Sequence, residues 1–125
     1  MVVDDEVSIR TLVSMHFKHI GMDVKTASGC AQCLEHIRNG FKGVVLMDIM
    51  MPEKDGWDTI REIVDQGYHE NTVIILFSAC NTEPPPKAAD VSKYVSEYVQ
   101  KPIELHEIDE CVNNYLSYFE EKRMN

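Results

Sequence analysis

The chain has 125 residues, a length that suits one domain, and 44% of them are hydrophobic, enough to bury a core. Its 21 acidic and 12 basic side chains give a formal charge of -9, which weighs against direct binding to nucleic acid or to an anionic membrane but not against a basic protein partner. No apolar run approaches the roughly 20 residues that span a bilayer, and acids by position 4 do not fit a signal peptide, so the expectation is a cytoplasmic protein with no membrane insertion.

Met1-Val2-Val3 reads as a short strand that runs into Asp4-Asp5-Glu6. From Glu6 to Ile20, apolar residues at Ile9, Leu12, Val13, Phe17 and Ile20 have helical spacing, and Gly21 follows as expected after a helix end. Asp23 to Ala27 is expected to be a second strand, and Cys30 to Arg38 a second helix ended by Asn39-Gly40. Val44-Val45-Leu46-Met47 is an unbroken apolar run, the pattern of a strand buried on both faces, and it ends in Asp48. Pro52 and Asp55-Gly56 then turn the chain, and Trp57, Ile60, Ile63 and Val64 mark a third helix. Thr72 to Phe77 is another apolar strand, ending in Ser78. Pro84-Pro85-Pro86 cannot lie inside a helix but can open a short one over Lys87 to Val91. A fifth strand is expected within Tyr94 to Gln100, centred on Glu97 to Val99, before Lys101-Pro102. Leu105, Ile108, Val112, Tyr115, Leu116 and Phe119 complete the chain as an amphipathic helix.

Cys30-Ala31-Gln32-Cys33 matches C-x-x-C, with His36 three residues on. No second such pair completes a four-ligand metal site, and Cys33, Leu34 and Ile37 share the expected inner face of a helix. The cysteines therefore read as small buried hydrophobes.

Five alternations of strand and helix imply an α/β fold with a parallel sheet covered by helices on both faces. In such a sheet every strand's carboxyl end lies on one edge, where ligands bind. Asp4, Asp5, Asp48, Ser78 and Lys101 follow or close four of these strands, so they are expected to meet in one cleft. Each has a plain alternative: a turn or cap for Asp48, a helix start for Asp4-Asp5-Glu6, a cap for Ser78 and a solvated turn lysine for Lys101. Together, three carboxylates repel unless something offsets them; two charges 4 Å apart cost about 4 kcal/mol at an effective dielectric near 20. Mg2+, which takes one or two carboxylates plus water and phosphate oxygens, would offset them. With a lysine and a hydroxyl beside it, the cleft suits phosphoryl transfer, Asp48 acting as nucleophile.

These motifs, Val2-Val3-Asp4-Asp5-Glu6, Met47 to Pro52 with Asp55-Gly56, Ser78-Ala79 and Lys101-Pro102, resemble the response regulator receiver domain, the CheY-like module of two-component signalling. The resemblance covers nearly the whole chain. It implies a flavodoxin-like three-layer α/β/α sandwich with five strands in order 2-1-3-4-5. It also implies that Asp48 accepts a phosphoryl group from the phosphohistidine of a sensor histidine kinase or phosphotransfer protein. Asp5 and Asp48 would bind Mg2+ directly, Asp4 through water, and Met50 through its backbone carbonyl. Lys101 would contact the phosphoryl oxygens, Ser78 would move to bond them, and Tyr98 would be the switch aromatic that alters the surface offered to a downstream protein target. Such a protein is no enzyme beyond catalysing its own phosphorylation and dephosphorylation.

Some positions depart from the family pattern. Glu53-Lys54 stands where small or apolar residues are usual. Met50 and Cys80 flank the path of an attacking water and orient it poorly, which predicts slow loss of phosphate. Asn81 to Val95 predicts a short or irregular fourth helix. The expectation is one receiver domain over residues 1–125 with no output domain in the chain, either stand-alone or excised from a longer protein. An aspartyl-nucleophile phosphatase would need a second Asp where Met50 stands, and a flavin module would need a phosphate-cradling loop where Asp4-Asp5-Glu6 stands. A pseudo-receiver, binding partners without phosphorylation, is the remaining alternative.

Overall fold

A computed structural model of the chain describes residues 1–79 and 83–124, the side chains of Tyr118 and of residues 120–124 excepted. The elements run β1 (Val2–Val3), α1 (Val7–His19), β2 (Thr26–Ala27), α2 (Cys30–Arg38), β3 (Gly43–Asp48), α3 (Gly56–Asp65), β4 (Thr72–Ser78), β5 (Val95–Gln100) and α4 (Leu105–Met124). All pairings are parallel and the strand order is β2-β1-β3-β4-β5, the flavodoxin-like order.

The two apolar runs become the centre of the sheet. β3 and β4 pair from Gly43 with Thr72 to Asp48 with Phe77, and every residue of β4 is buried. Side chains alternate across a strand, so the sheet feeds two cores. Val3, Val45, Met47, Ile74 and Leu76 meet α2 and α3 through Cys33, Leu34, Ile37, Ile60 and Ile63. Val2, Leu46, Ile75 and Phe77 meet α1 and α4 through Val13, Phe17, Ile108 and Val112. His16 on α1 and Asp109 on α4 add a 2.7 Å contact between the helices on that side. Cys33 is fully buried on the inner face of α2, and burial pushes its thiol up to about 12.

Three details correct the sequence reading. The second strand is paired only at Thr26–Ala27, because Asp23 to Lys25 approach a sheet edge with one neighbour. Leu12 and Ile20 are 48% and 50% exposed, so α1 turns inward through Ile9, Val13 and Phe17. The expected short helix over Lys87 to Val91 is instead a pair of 3-10 turns, Pro86–Ala88 and Ser92–Tyr94. Among the described residues no α-helix joins β4 to β5, as the irregular fourth helix anticipated. Cys80, Asn81 and Thr82 lie outside the described residues.

Candidate functional site

Asp4 and Asp48 arrive at one sheet edge because β1 and β3 are neighbours in register, Val3 opposite Met47. Both are buried, Asp4 to 0% and Asp48 to 3% exposure. Asp5, one residue on, is exposed. One carboxylate oxygen from each of Asp4, Asp5 and Asp48 lies within 4.8 Å of the others.

Lys101 enters from the end of β5. Its backbone N–H donates to Ser78 O at 2.8 Å, which ties the ends of β4 and β5 together. Its ammonium lies 3.3 Å from Asp48 Oδ1 and 3.6 Å from Asp4 Oδ2. Burial opposes that charge, but Asp48 and Asp4 outweigh it and hold the lysine above its ordinary pKa. Burial dominates in the opposite sense at the carboxylates. It raises both Asp4 and Asp48, although Lys101 and backbone N–H groups of Glu6 and Met50 pull them down. Ser78 is buried at the end of β4, in line with Gln100.

The loop after Asp48 is closely packed. Met50 N–H donates to Asp48 Oδ1 at 3.3 Å, while the Met50 side chain is 72% exposed. Gly56 N–H donates to Ile49 O at 2.8 Å. A Cβ on Gly56 would stand 2.7 Å from Asp48 O and 3.0 Å from Ile49 Cα, so this position admits only glycine without a backbone shift. Glu53 has φ 67°, in the left-handed region that small residues favour. Asp55 and Asp58 cap α3 reciprocally: Asp58 N–H donates to Asp55 Oδ1 at 2.9 Å and Asp55 N–H to Asp58 Oδ2 at 3.1 Å.

The donor set fits a hard cation. Octahedral Mg2+ at about 2.1 Å from oxygen places neighbouring ligands about 3 Å apart and opposite ones about 4 Å apart, the same scale as the 4.8 Å within which the three carboxylate oxygens lie. Asp4 Oδ2 is buried with no hydrogen-bond donor among the described residues, the Lys101 ammonium standing 3.6 Å away.

A family model for the response regulator receiver domain matches residues 1–113. The chain belongs to the response regulator receiver domains. A CheY-like receiver domain protein from Methanospirillum hungatei is 34% identical, with a TM-score of 0.88, and the match covers 94% of this chain and 93% of that one. Response regulator TrrA of Thermotoga maritima, solved in complex with Mg2+-BeF, is 29% identical with a TM-score of 0.75, over 91% of this chain and 95% of that one. Among curated proteins, the probable transcriptional regulator ycf27 of Porphyra purpurea is 29% identical over 93% of this chain and 46% of its own length. DNA-binding transcriptional regulator NtrC of Azospirillum brasilense is 29% identical over 94% of this chain and 24% of its own. The chain thus spans about half or less of these curated relatives. Receiver domains work in phosphorylation-based two-component signalling, generally as switches and not as enzymes, and typically bind Mg2+ at an acidic pocket.

The structure brings together Asp4, Asp5, Asp48 and Lys101 and places Ser78 and Met50 at the same edge. Tyr98 stands apart on β5, 36% exposed, its ring 6.3 Å from that of Trp57. The sequence reading missed Arg10, whose Nη1 donates to Asp4 O at 2.6 Å. It also missed the ion pairs that fasten residues 87–90 to α3. Lys87 Nζ lies 2.9 Å from Asp55 and 3.1 Å from Asp58, and Arg61 bonds both carboxylate oxygens of Asp90. Residues 29 or more apart in sequence give no periodic signal that would pair them.

Proposed function

We propose that residues 1–125 act as one receiver unit, working in the cytoplasm, in which Asp48 takes a phosphoryl group from the phosphohistidine of a sensor histidine kinase or phosphotransfer protein. The observation that carries this reading is the Lys101 ammonium held 3.3 Å from the buried Asp48 carboxylate. An Asp48 oxygen attacks phosphorus and the P–N bond breaks; the imidazole, already protonated at its other ring nitrogen, leaves as the neutral base with the P–N electron pair. Lys101 attracts the phosphoryl oxygens. Asp5, Asp48 and the Met50 carbonyl would hold Mg2+ directly and Asp4 through water; when bound, the ion neutralises charge on those oxygens.

The signal leaves through packing. The Ser78 hydroxyl turns to the new phosphoryl group and Tyr98 changes its place beside Trp57, so the surface offered to a downstream protein changes. Val7, Leu12 and Met15 remain 65%, 48% and 65% exposed on α1, the helix that follows the acidic turn. Exposed apolar side chains on a helix beside the site suit the landing of the phosphodonor protein.

Intact mass after incubation with acetyl phosphate tests the reading. A phosphoryl adduct that requires both Mg2+ and Asp48, and is lost in Asp48→Asn, is expected. A folded protein that gains no adduct would instead be a pseudo-receiver that binds partners without phosphorylation. Met50 offers no hydrogen bond to an attacking water, so the adduct is expected to decay slowly and faster in Met50→Asn.

A further inference from the structure

The Asp5 carboxylate is exposed, and among the described residues no side chain or backbone N–H bonds it. With no partner of its own, the side chain takes the line of its Cα–Cβ bond from the backbone. Two peptide groups flank its Cα. The one before it is held by Arg10, whose guanidinium donates to Asp4 O at 2.6 Å. The one after it is held by Asp4, whose Oδ1 accepts Glu6 N–H at 2.9 Å. Fixing both peptide planes fixes φ and ψ of Asp5 and hence the line of its Cα–Cβ bond.

Arg10 lies in the first turns of α1, where its N–H donates to Glu6 O at 3.2 Å, so its reach back to β1 joins helix and strand across the acidic turn. Building on the Mg2+ reading above, we infer that Arg10 is a positioning residue for the metal ligand Asp5. Its contribution runs against its charge. A cation bonded to the backbone of the acidic turn repels Mg2+, so deleting it should tighten binding if charge alone mattered. A positioning role has the opposite sign: deleting it frees the turn and weakens binding.

Isothermal titration with MgCl2 separates the two, with circular dichroism confirming the fold. Arg10→Gln, too short to reach the Asp4 carbonyl, is expected to weaken Mg2+ binding about tenfold, the scale of lost outer-shell partners at metal sites. Arg10→Lys, which keeps a long donor, is expected to restore most of it. In an Asp5→Asn background the Arg10→Gln effect should vanish, because the carboxylate being aimed is gone. Unchanged or tighter binding in Arg10→Gln, with Asp5→Asn still weakening it, overturns this inference alone. Wild-type protein that binds no Mg2+ overturns the metal reading with it. A measurement on the unaltered chain guards against a folding defect in the variants. Nitrogen-15 relaxation at Arg10 Nε should be as restrained as the backbone, and a freely rotating guanidinium overturns the inference.

Discussion

Asp48 and the connection between β4 and β5 both rest on charged side chains, but they are held in opposite ways. Asp48 sits at the end of a strand paired on both sides, with the Asp48 carbonyl under Gly56 and its carboxylate under Lys101. Residues 86–94 have two isolated 3-10 turns and are fastened to α3 by exposed ion pairs through Lys87, Asp90 and Arg61. Burial makes the first region rigid at an electrostatic cost, while solvent screening keeps the second inexpensive to hold and easy to release. The proposed switch would use that division: a fixed acceptor at Asp48 and a segment that can be let go.

The largest effect should come from the sheet that carries Asp48. Leu76 is fully buried on β4 beside β3, so Leu76→Ala should cost about 2–5 kcal/mol in urea unfolding. Gly56→Ala should cost about 1–3 kcal/mol, because the added Cβ meets backbone and not a flexible side chain, and it should slow adduct formation at Asp48. A Gly56→Ala variant no less stable than wild type would show that the packing over Asp48 yields to an added Cβ.

Asp48→Asn sharpens the comparison with the opposite sign. Burial raises the Asp48 pKa in the folded state, so the folded chain binds this proton more readily than the unfolded chain. The penalty is therefore present at neutral pH and fades as pH falls through the folded pKa toward the ordinary carboxylate range. Without metal, Asp48→Asn should stabilise the protein by about 1–2 kcal/mol at neutral pH, the scale on which active-site residues trade stability for function. That gain should shrink in acid; a gain independent of pH counts against the assignment.

The smallest effect belongs to the connection. Arg61→Met should leave the urea midpoint nearly unmoved while amide hydrogen exchange speeds up across residues 83–94. Arg61 holds the Asp90 carboxyl down to about 2, so this pair's contribution is present above the ordinary carboxylate range and is lost as pH falls toward 2. Exchange that is unchanged by the substitution would mean that backbone packing, not the ion pairs, holds the segment.

The legibility of the sequence follows the same division. Asp48, Ser78 and Lys101 could be placed because each closes or follows a strand, and in a parallel sheet that edge is shared. The apolar runs of β3 and β4 set their own limits, Thr72–Ser78 as read and Gly43–Asp48 one residue earlier. Asp23 to Lys25 could not be read correctly, because pairing at an edge depends on a neighbour and not on local pattern. Leu12 and Ile20 have helical spacing but face outward, since the strip that packs is carried by Ile9, Val13 and Phe17 and Ile20 lies past the helix end. Arg10 left no mark, because a long side chain that turns back to a carbonyl obeys no period. The prolines revealed that the connection from β4 to β5 is irregular but not what fastens it, because Arg61 and Asp90 meet only once the chain has folded.

Trp57 is the only tryptophan in the chain, 4% exposed, and the ring it meets on β5 is Tyr98. Its emission therefore reports on one place in the molecule. While Tyr98 keeps its position, the indole is shielded and fluoresces toward the blue; a tyrosine that swings away admits water and shifts the band to the red. The protein thus carries its own optical gauge of the Tyr98 position, readable in a stopped-flow mixer without a label, and Tyr98→Ala fixes the end of the scale.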